Sequence, residues 1–487
     1  MSQVIDFICG WIWSPVLVIL CLLTGLYFSF GLRFVQIRRM KTMVRLLFSS
    51  DNRDKENGVT SFQAFAMALS GRVGTGNIMG VATAIGFGGP GAIVWMWIVA
   101  FFGAATAFAE STLAQVFKDE HDGQFRGGPA YYIEKGLHSK VFATVFAVAA
   151  VIGLGFLSPQ IQSNGIATSF HNTFGVEKWI VGVVLAVLLA LIIIGGVKRI
   201  ARIAEIVTPF MAIGYITLSI VILVVNASEV PAAFSNMIRS AFGFNEAFAG
   251  IMGWTISMGV KRGLYSNEAG QGSGAIVSAS ANVSHPVKQG LVQAFSVYID
   301  TLMVCTATAV MILACQTYNV IDPQGNIIFH SPTAGLGEPD VSYTTSAVAT
   351  LTGDYAAGIV ISIALLFFAF TTVLAYYYNS ETNISYLFRK GRHEHLVINI
   401  FRAVIIIMVF LGTVIEAGTI WNLADIGVGM MAWTNIIAIL LLSPVVFRCL
   451  RSYEKQEKEG KDPVFDPDEL NIKNADFWKN KLKETDK

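Results

Sequence analysis

The run Ser70-Gly71-Arg72-Val73-Gly74-Thr75-Gly76-Asn77 sets three glycines, a guanidinium, two hydroxyls and an amide inside a stretch that is apolar on both sides. Each glycine weakens a helix by about 1 kcal/mol relative to alanine, so a helix can open here. Backbone freed in hydrocarbon persists only against protein, water or a ligand. It then offers N–H groups at the start of one half-helix to an anion and carbonyls at the end of the other to a cation. That suits a zwitterion travelling with a metal ion. Tight packing by small residues is the alternative reading of the glycines alone. Arg72, Thr75 and Asn77 favour a site, because charged and amide groups at this depth need a purpose.

Three further clusters carry possible chemistry. In the run from Trp254 to Gly272, Trp254, Thr255, Ser257 and Met258 precede Gly259, and Lys261 with Arg262 precede Gly263. The stretch 257–263 reads as a second interruption. Its two cations are costly unless they meet water or a carboxylate, with Glu268 close in sequence. A gate built on an ion pair of Lys261, Arg262 or Arg72 is one reading; snorkelling to an interface is the other. Thr371 and Thr372 stand side by side in an apolar segment. A helical threonine usually bonds the carbonyl one turn back, but two facing a break with open carbonyls would make an all-oxygen site for a hard cation such as sodium. Gln160, Gln162 and Asn164 follow Pro159, and their amides could serve a carboxylate and an ammonium, or bind helix to helix. Glu110, Glu205, Asp300, Glu416 and Asp425 are embedded carboxylates to which no proton path is assigned.

These residues sit in a chain of 487 residues, 54% hydrophobic and 14% charged, against roughly 25% charged in soluble domains. Apolar stretches of about 20 residues recur throughout. They predict an all-α polytopic membrane protein with eleven spanning segments, near 11–31, 61–86, 91–117, 139–170, 178–196, 200–225, 246–280, 288–316, 343–378, 397–413 and 417–447. The N-terminus lacks the basic start of a cleavable signal peptide. Lys and Arg collect in alternate loops and in the tail, leaving Lys178 and Arg239 on the other side. This places the N-terminus outside and the C-terminus in the cytoplasm.

One lone helix followed by ten gives an extra N-terminal helix and basic loop (1–60), two five-helix halves (61–225 and 246–447) and a solvated cytoplasmic tail with a short interfacial helix (448–487). Inverted repeats with discontinuous first and sixth core helices match this plan. The net charge of +1 favours neither nucleic acid nor an acidic substrate. Five cysteines form no C-x-x-C pair, there is no phosphate-binding loop, and no nucleophile elbow or H-E-x-x-H is present, so an enzyme or a cofactor is not expected.

SGRVGTGNIMGVATAIGFGGPGAIVWMW, GGPAYYIEKGL, NEAGQGSGA and NSETNISYLF, the last read as a cytoplasmic loop, closely resemble the alanine or glycine/cation symporter family. That resemblance implies sodium-coupled uptake of a small neutral amino acid across the bacterial inner membrane by alternating access. The more distant neurotransmitter/sodium symporters carry a similar V-G-x-G-N at Val73 to Asn77. By that likeness Thr75 and Gly76 receive the substrate carboxylate, and Asn77 lies beside the ligand or an ion. Carbonyls around Trp254, Thr255, Ser257 and Gly259 take the ammonium, with Trp254 and Met258 narrowing the pocket. Thr371 and Thr372, with carbonyls of Ser70, Val73 and Phe368, form the sodium site. Arg72, Lys261 and Arg262 depart from the distant pattern, so the gates differ. A sensor or channel on the same fold, and proton-coupled amino-acid transport, are the alternatives.

Overall fold

The computed structural model describes residues 2–48, 58–121, 123–245, 248, 250–333, 336–389, 391 and 393–485. Among them, eight helices are long and apolar enough to cross a membrane: Phe7–Gly31, Ala92–Val116, Lys140–Phe174, Gly196–Val225, Pro286–Ala314, Asp354–Phe388, Glu394–Val414 and Gly418–Leu441. Helix Lys178–Ile193 is shorter. Two further segments are broken: Ser61–Arg72 followed by Gly76–Gly88, and Met252–Asn267 followed by Ser273–Ala279. They stand at corresponding places in a five-plus-five inverted-repeat bundle. Glu246, where the second half was expected to begin, lies outside the described residues.

The first broken helix starts on a capping box, with Thr60 Oγ1 accepting from Gln63 N–H at 3.1 Å and Gln63 Oε1 accepting from Thr60 N–H at 3.0 Å. Such reciprocal bonds satisfy two of the four N–H groups that a helix start leaves open. The second break is not where the sequence pattern put it. Helix runs unbroken through residues 257–263 and opens only after Asn267, where Glu268, Gly270 and Gly272 take positive φ of 56°, 90° and 90°. Gly259 serves close packing instead: a Cβ there would lie 2.5 Å from the Ala92 carbonyl oxygen. The glycine admits the neighbouring helix Ala92–Val116, and the helical ladder stays intact.

Other boundaries also move. The expected segment 343–378 is two helices, Val341–Thr352 and Asp354–Phe388, divided at Gly353 with φ 80°. The second continues ten residues past 378, so NSETNISYLF is buried helix and not a loop. Its polar side chains face protein: Ser385 Oγ donates to Glu394 Oε1 at 2.6 Å, and Arg126 Nη2 pairs with Glu381 Oε1 at 3.2 Å. Helix Val230–Ala241 occupies what read as a connection. The tail folds back, with Phe465 and Trp478 buried, and is not a solvated extension. The N-terminal pair Ser2–Ile12 and Pro15–Gly31 packs on the last spanning helix, where Trp433 Nε1 donates to Ile12 O at 3.0 Å.

Two helices meet closely at Gly153 and Gly427, where a Cβ on Gly427 would stand 2.5 Å from Gly153 Cα. Gly427→Ala is therefore expected to destabilise the purified protein by about 1–3 kcal/mol through overpacking. Gly418→Ala in the same helix, with open space around it, leaves the melting temperature unchanged or slightly raised. A thermal melt of both variants checks this.

Candidate substrate and ion site

At the first break, Val73 leaves helical geometry with ψ of 87°. Gly74 N–H donates to Asn77 Oδ1 at 2.9 Å, so a side-chain carbonyl caps backbone that the helix has released. Thr75 N–H donates to Gln162 Oε1 at 3.0 Å. Gly76 faces the ring of Tyr265, 3.3 Å from a built Cβ, and Tyr265 in turn packs on Trp421 with centroids 5.4 Å apart. The wall beside Gly76 is aromatic and close.

At the same break, Thr372 Oγ1 lies 2.8 Å from Ser70 O, 2.9 Å from Phe368 O and 3.4 Å from Val73 O, and a Cβ on Gly74 would meet both this hydroxyl and Gln162 Oε1, at 2.5 and 2.8 Å. A hydroxyl has one proton to give, so three carbonyls converging on it form an oxygen cluster that a hard cation can complete. Thr371 meets one of the three carbonyls, Phe368 O. Neighbours in a helix face different ways, and Thr371 Oγ1 bonds Phe367 O and Phe368 O at 2.8 and 3.1 Å, turned toward Met211 Sδ at 3.8 Å. The threonine pair thus divides into one residue at the cluster and one at a helix contact.

Of the three amides after Pro159, only Gln162 reaches the break. Gln160 Nε2 bonds Phe156 O in its own helix at 2.7 Å, and Asn164 Nδ2 holds Gly412 O and Ile415 O at 2.9 Å each. Asn164 thus fastens helix to helix, while Gln160 bonds its own helix and meets the neighbouring one at Met408 Sδ, 3.7 Å away. Trp254, Thr255, Ser257, Met258 and Gly259 lie before the second break and do not build the site there. Trp254 is 42% exposed, Thr255 Oγ1 bonds Ile251 O at 3.1 Å, and Met258 and Gly259 pack on Gly88 and Ala92.

The residues brought to the site from the second broken helix are Tyr265 and Ser266. The signal for them was the Gly270-x-Gly272 spacing, which repeats Gly74-x-Gly76. Asp300 is the other residue that sequence pattern left unassigned. It is fully buried on a π-helical turn, Tyr298–Cys305, and accepts from Asn77 Nδ2 at 2.7 Å, Ser266 Oγ at 2.9 Å and Thr301 Oγ1 at 2.7 Å. Such turns recur at functional sites because the widened ring re-aims side chains.

The charged groups separate by role. Arg72 is 2% exposed, and its Nε donates to Asn267 O at 2.7 Å while Nη1 reaches Gln293 Oε1 at 3.2 Å and the Ser296 hydroxyl. It ties the end of one broken helix to the end of the other. Glu268 is not its ion-pair partner among the described residues; Glu268 Oε2 accepts from Ser273 Oγ at 2.8 Å. Lys261 and Arg262 instead share Asp425, at 2.6 and 3.3 Å, and Arg262 lies 4.5 Å over the Trp421 ring. Asp425 is fully buried. One carboxylate therefore joins two broken-helix cations to the helix that carries Trp421.

If the oxygen cluster binds sodium, Thr372→Val removes the hydroxyl that meets all three carbonyls, while Thr371→Val removes one that meets only Phe368 O among them. Sodium is expected to raise the melting temperature of the unmodified protein. In Thr372→Val the sodium concentration for half the rise increases at least tenfold, and in Thr371→Val by less than threefold. Equal effects would remove Thr372 from the site.

Comparison with known proteins bears on the family and the fold. The sodium:alanine symporter family pattern matches residues 1–467. YrbD of Bacillus subtilis (strain 168) is 54% identical over 467 residues, covering 96% of this chain and 95% of that protein. The sodium/proton-dependent alanine carrier protein of Bacillus sp. (strain PS3) is 46% identical over 441 residues, covering 91% and 98%. Among solved structures, MhsT in complex with L-phenylalanine superposes with a TM-score of 0.54 at 14% identity, covering 87% of this chain and 96% of that one, a likeness of fold. A match over nearly the whole chain, to relatives that are transporters and not enzymes, places this multi-pass membrane protein in the sodium:alanine symporter family.

Proposed function

We propose that this chain carries alanine or glycine with sodium into the cell by alternating access, in a bacterial inner membrane, with the N-terminus outside and the C-terminus in the cytoplasm. The observation that carries the reading is the meeting, at one helix break, of the Thr75 N–H and the oxygen cluster around Thr372. A substrate carboxylate takes Gln162 Oε1's place on Thr75 N–H and the adjoining Gly76. Sodium enters among the oxygens of Ser70, Val73, Phe368 and Thr372, beside the same three-residue turn. Each charge lowers the cost of burying the other, which is the physical basis of coupling.

The ammonium is directed to the carbonyl end of helix Met252–Asn267, where the break leaves the last carbonyls without helical partners. Tyr265 and Trp421 limit the side chain to a methyl or a hydrogen. Alternation follows from the architecture: the halves 61–225 and 246–447 move against each other, the Asp425 pairs with Lys261 and Arg262 act as a gate, and Arg72 keeps the two breaks in register. The PS3 relative is named for both sodium and protons, so a proton gradient belongs in the test.

Purified protein in liposomes should accumulate labelled alanine against its gradient when sodium is higher outside, with unlabelled glycine competing and phenylalanine not. Accumulation driven equally by a proton gradient alone, without sodium, would replace sodium by protons as the coupling ion. Uptake that never exceeds equilibrium under either gradient would exclude symport.

A further inference from the structure

Beyond helix Ser443–Lys458 the chain turns back beneath the bundle and ends in helix Asp476–Thr485. Asp462 Oδ1 pairs with Lys288 Nζ at 2.7 Å. Phe465 N–H donates to Ser284 O at 3.0 Å, and Ser284 Oγ donates to Pro463 O at 2.8 Å. Trp478 Nε1 donates to Gln115 O at 2.8 Å, and Lys481 Nζ to Asn282 Oδ1 at 2.9 Å. Phe465 and Trp478 are 0% and 2% exposed.

The surface under this tail is where both broken helices end. Val59 N–H donates to Ser280 O and Asn282 N–H to Val59 O, both at 3.0 Å. This short parallel bridge joins the start of the first broken helix to the exit of the second. Beside it, Lys118 Nζ donates to Ala281 O at 2.8 Å inside a cage of three rings, Phe125, Phe477 and Trp478, at 4.5, 4.7 and 5.3 Å. Two of those rings belong to the tail. The family match stops at residue 467, so they lie past it.

Opposing terms act on this contact. Burial of Phe465 and Trp478 favours docking. Burial of the Lys118 ammonium opposes it, because among the described residues no carboxylate pairs with Lys118, and π faces with one carbonyl replace its water. Desolvation holds Lys118 well below the usual lysine range, Lys481 adding to the effect and Glu120 opposing it. A contact that is the difference of two such terms can release.

We propose that residues 460–485 form a latch: docked across the ends of the two broken helices they hold this face of the pathway closed, and they leave when it opens. The inference goes beyond the transport reading, and only its flux arm rests on that reading.

Hydrogen exchange on the full-length protein in nanodiscs reads the bridge directly. In the double variant Phe465→Ala, Trp478→Ala, the amides of residues 59 and 280–282 should exchange at least tenfold faster, with residues 100–113 unchanged. Lys118→Met keeps an aliphatic stem and removes the buried charge, so the same amides should exchange at least threefold slower. Opposite signs cannot come from general loosening of the fold. Bridge amides at the unmodified rate in the double variant, or the same sign in both variants, would overturn the latch. In liposomes the double variant should raise the initial rate of saturating alanine uptake and Lys118→Met should lower it; exchange that shifts while uptake does not would also overturn it. Absence of uptake by the unmodified protein would defeat the transport reading and leave the exchange result standing.

Discussion

Backbone that leaves a helix inside a membrane has no water to turn to, and each unpaired group there costs several kcal/mol. The centre of this bundle is organised by that requirement. Gly74 N–H is met by Asn77, Thr75 N–H by Gln162, and the carbonyls of Ser70 and Val73 by the Thr372 hydroxyl. Each partner is a side chain from a place that the chain must hold rigidly, and each can yield to a ligand of the same polarity. A carboxylate can replace an amide oxygen, and a cation can join a set of carbonyl oxygens. The binding chemistry is thus a consequence of how the opened helix stays paired when nothing is bound.

The same requirement explains the buried charges. Arg72 has no ion pair among the described residues, yet its donors meet a backbone carbonyl, an amide oxygen and a hydroxyl, which keeps one break at a fixed distance from the other. Asp425 lies between two cations, one of which stands over the Trp421 ring, so the aromatic pair Tyr265–Trp421 and the charged cluster form one unit. The N-terminal helices support that unit from outside the two repeats: Trp13 Nε1 donates to Asp425 O at 2.8 Å, and its ring lies 5.8 Å from Lys261 Nζ.

Close approach between helices does the rest. Lipid is as apolar as leucine, so helices gain little by hiding hydrophobic surface from it, and association rests on packing and polar contacts. Gly153 against Gly427, and Gly259 against Ala92, bring backbones together without opening either helix. Gly270 and Gly272 do open one, with φ of 90° at both. Identical residues in similar apolar surroundings therefore have opposite uses, and the neighbouring helix decides between them.

Composition, the recurrence of apolar stretches and the glycine-rich polar run at 70–77 determined by themselves that the chain is a helical membrane protein with a helix broken at that run. Those are local properties: hydropathy sets where a helix can span, and glycine density sets where it can open. The membership of Ser70, Val73, Thr75, Asn77, Gln162, Phe368 and Thr372 in one cluster was also readable, from motif likeness and polarity. Which of two adjacent threonines faces the break was not, because that depends on the rotation of helix Asp354–Phe388 about its axis. Nor was the second break, displaced from 257–263 to 268–272, since several glycines competed and only the contact with Ala92 fixed Gly259 as a packing residue. Asp300, Tyr265, Trp421 and the docked tail likewise depend on distances between segments far apart in the chain, and those are decided only when the helices pack.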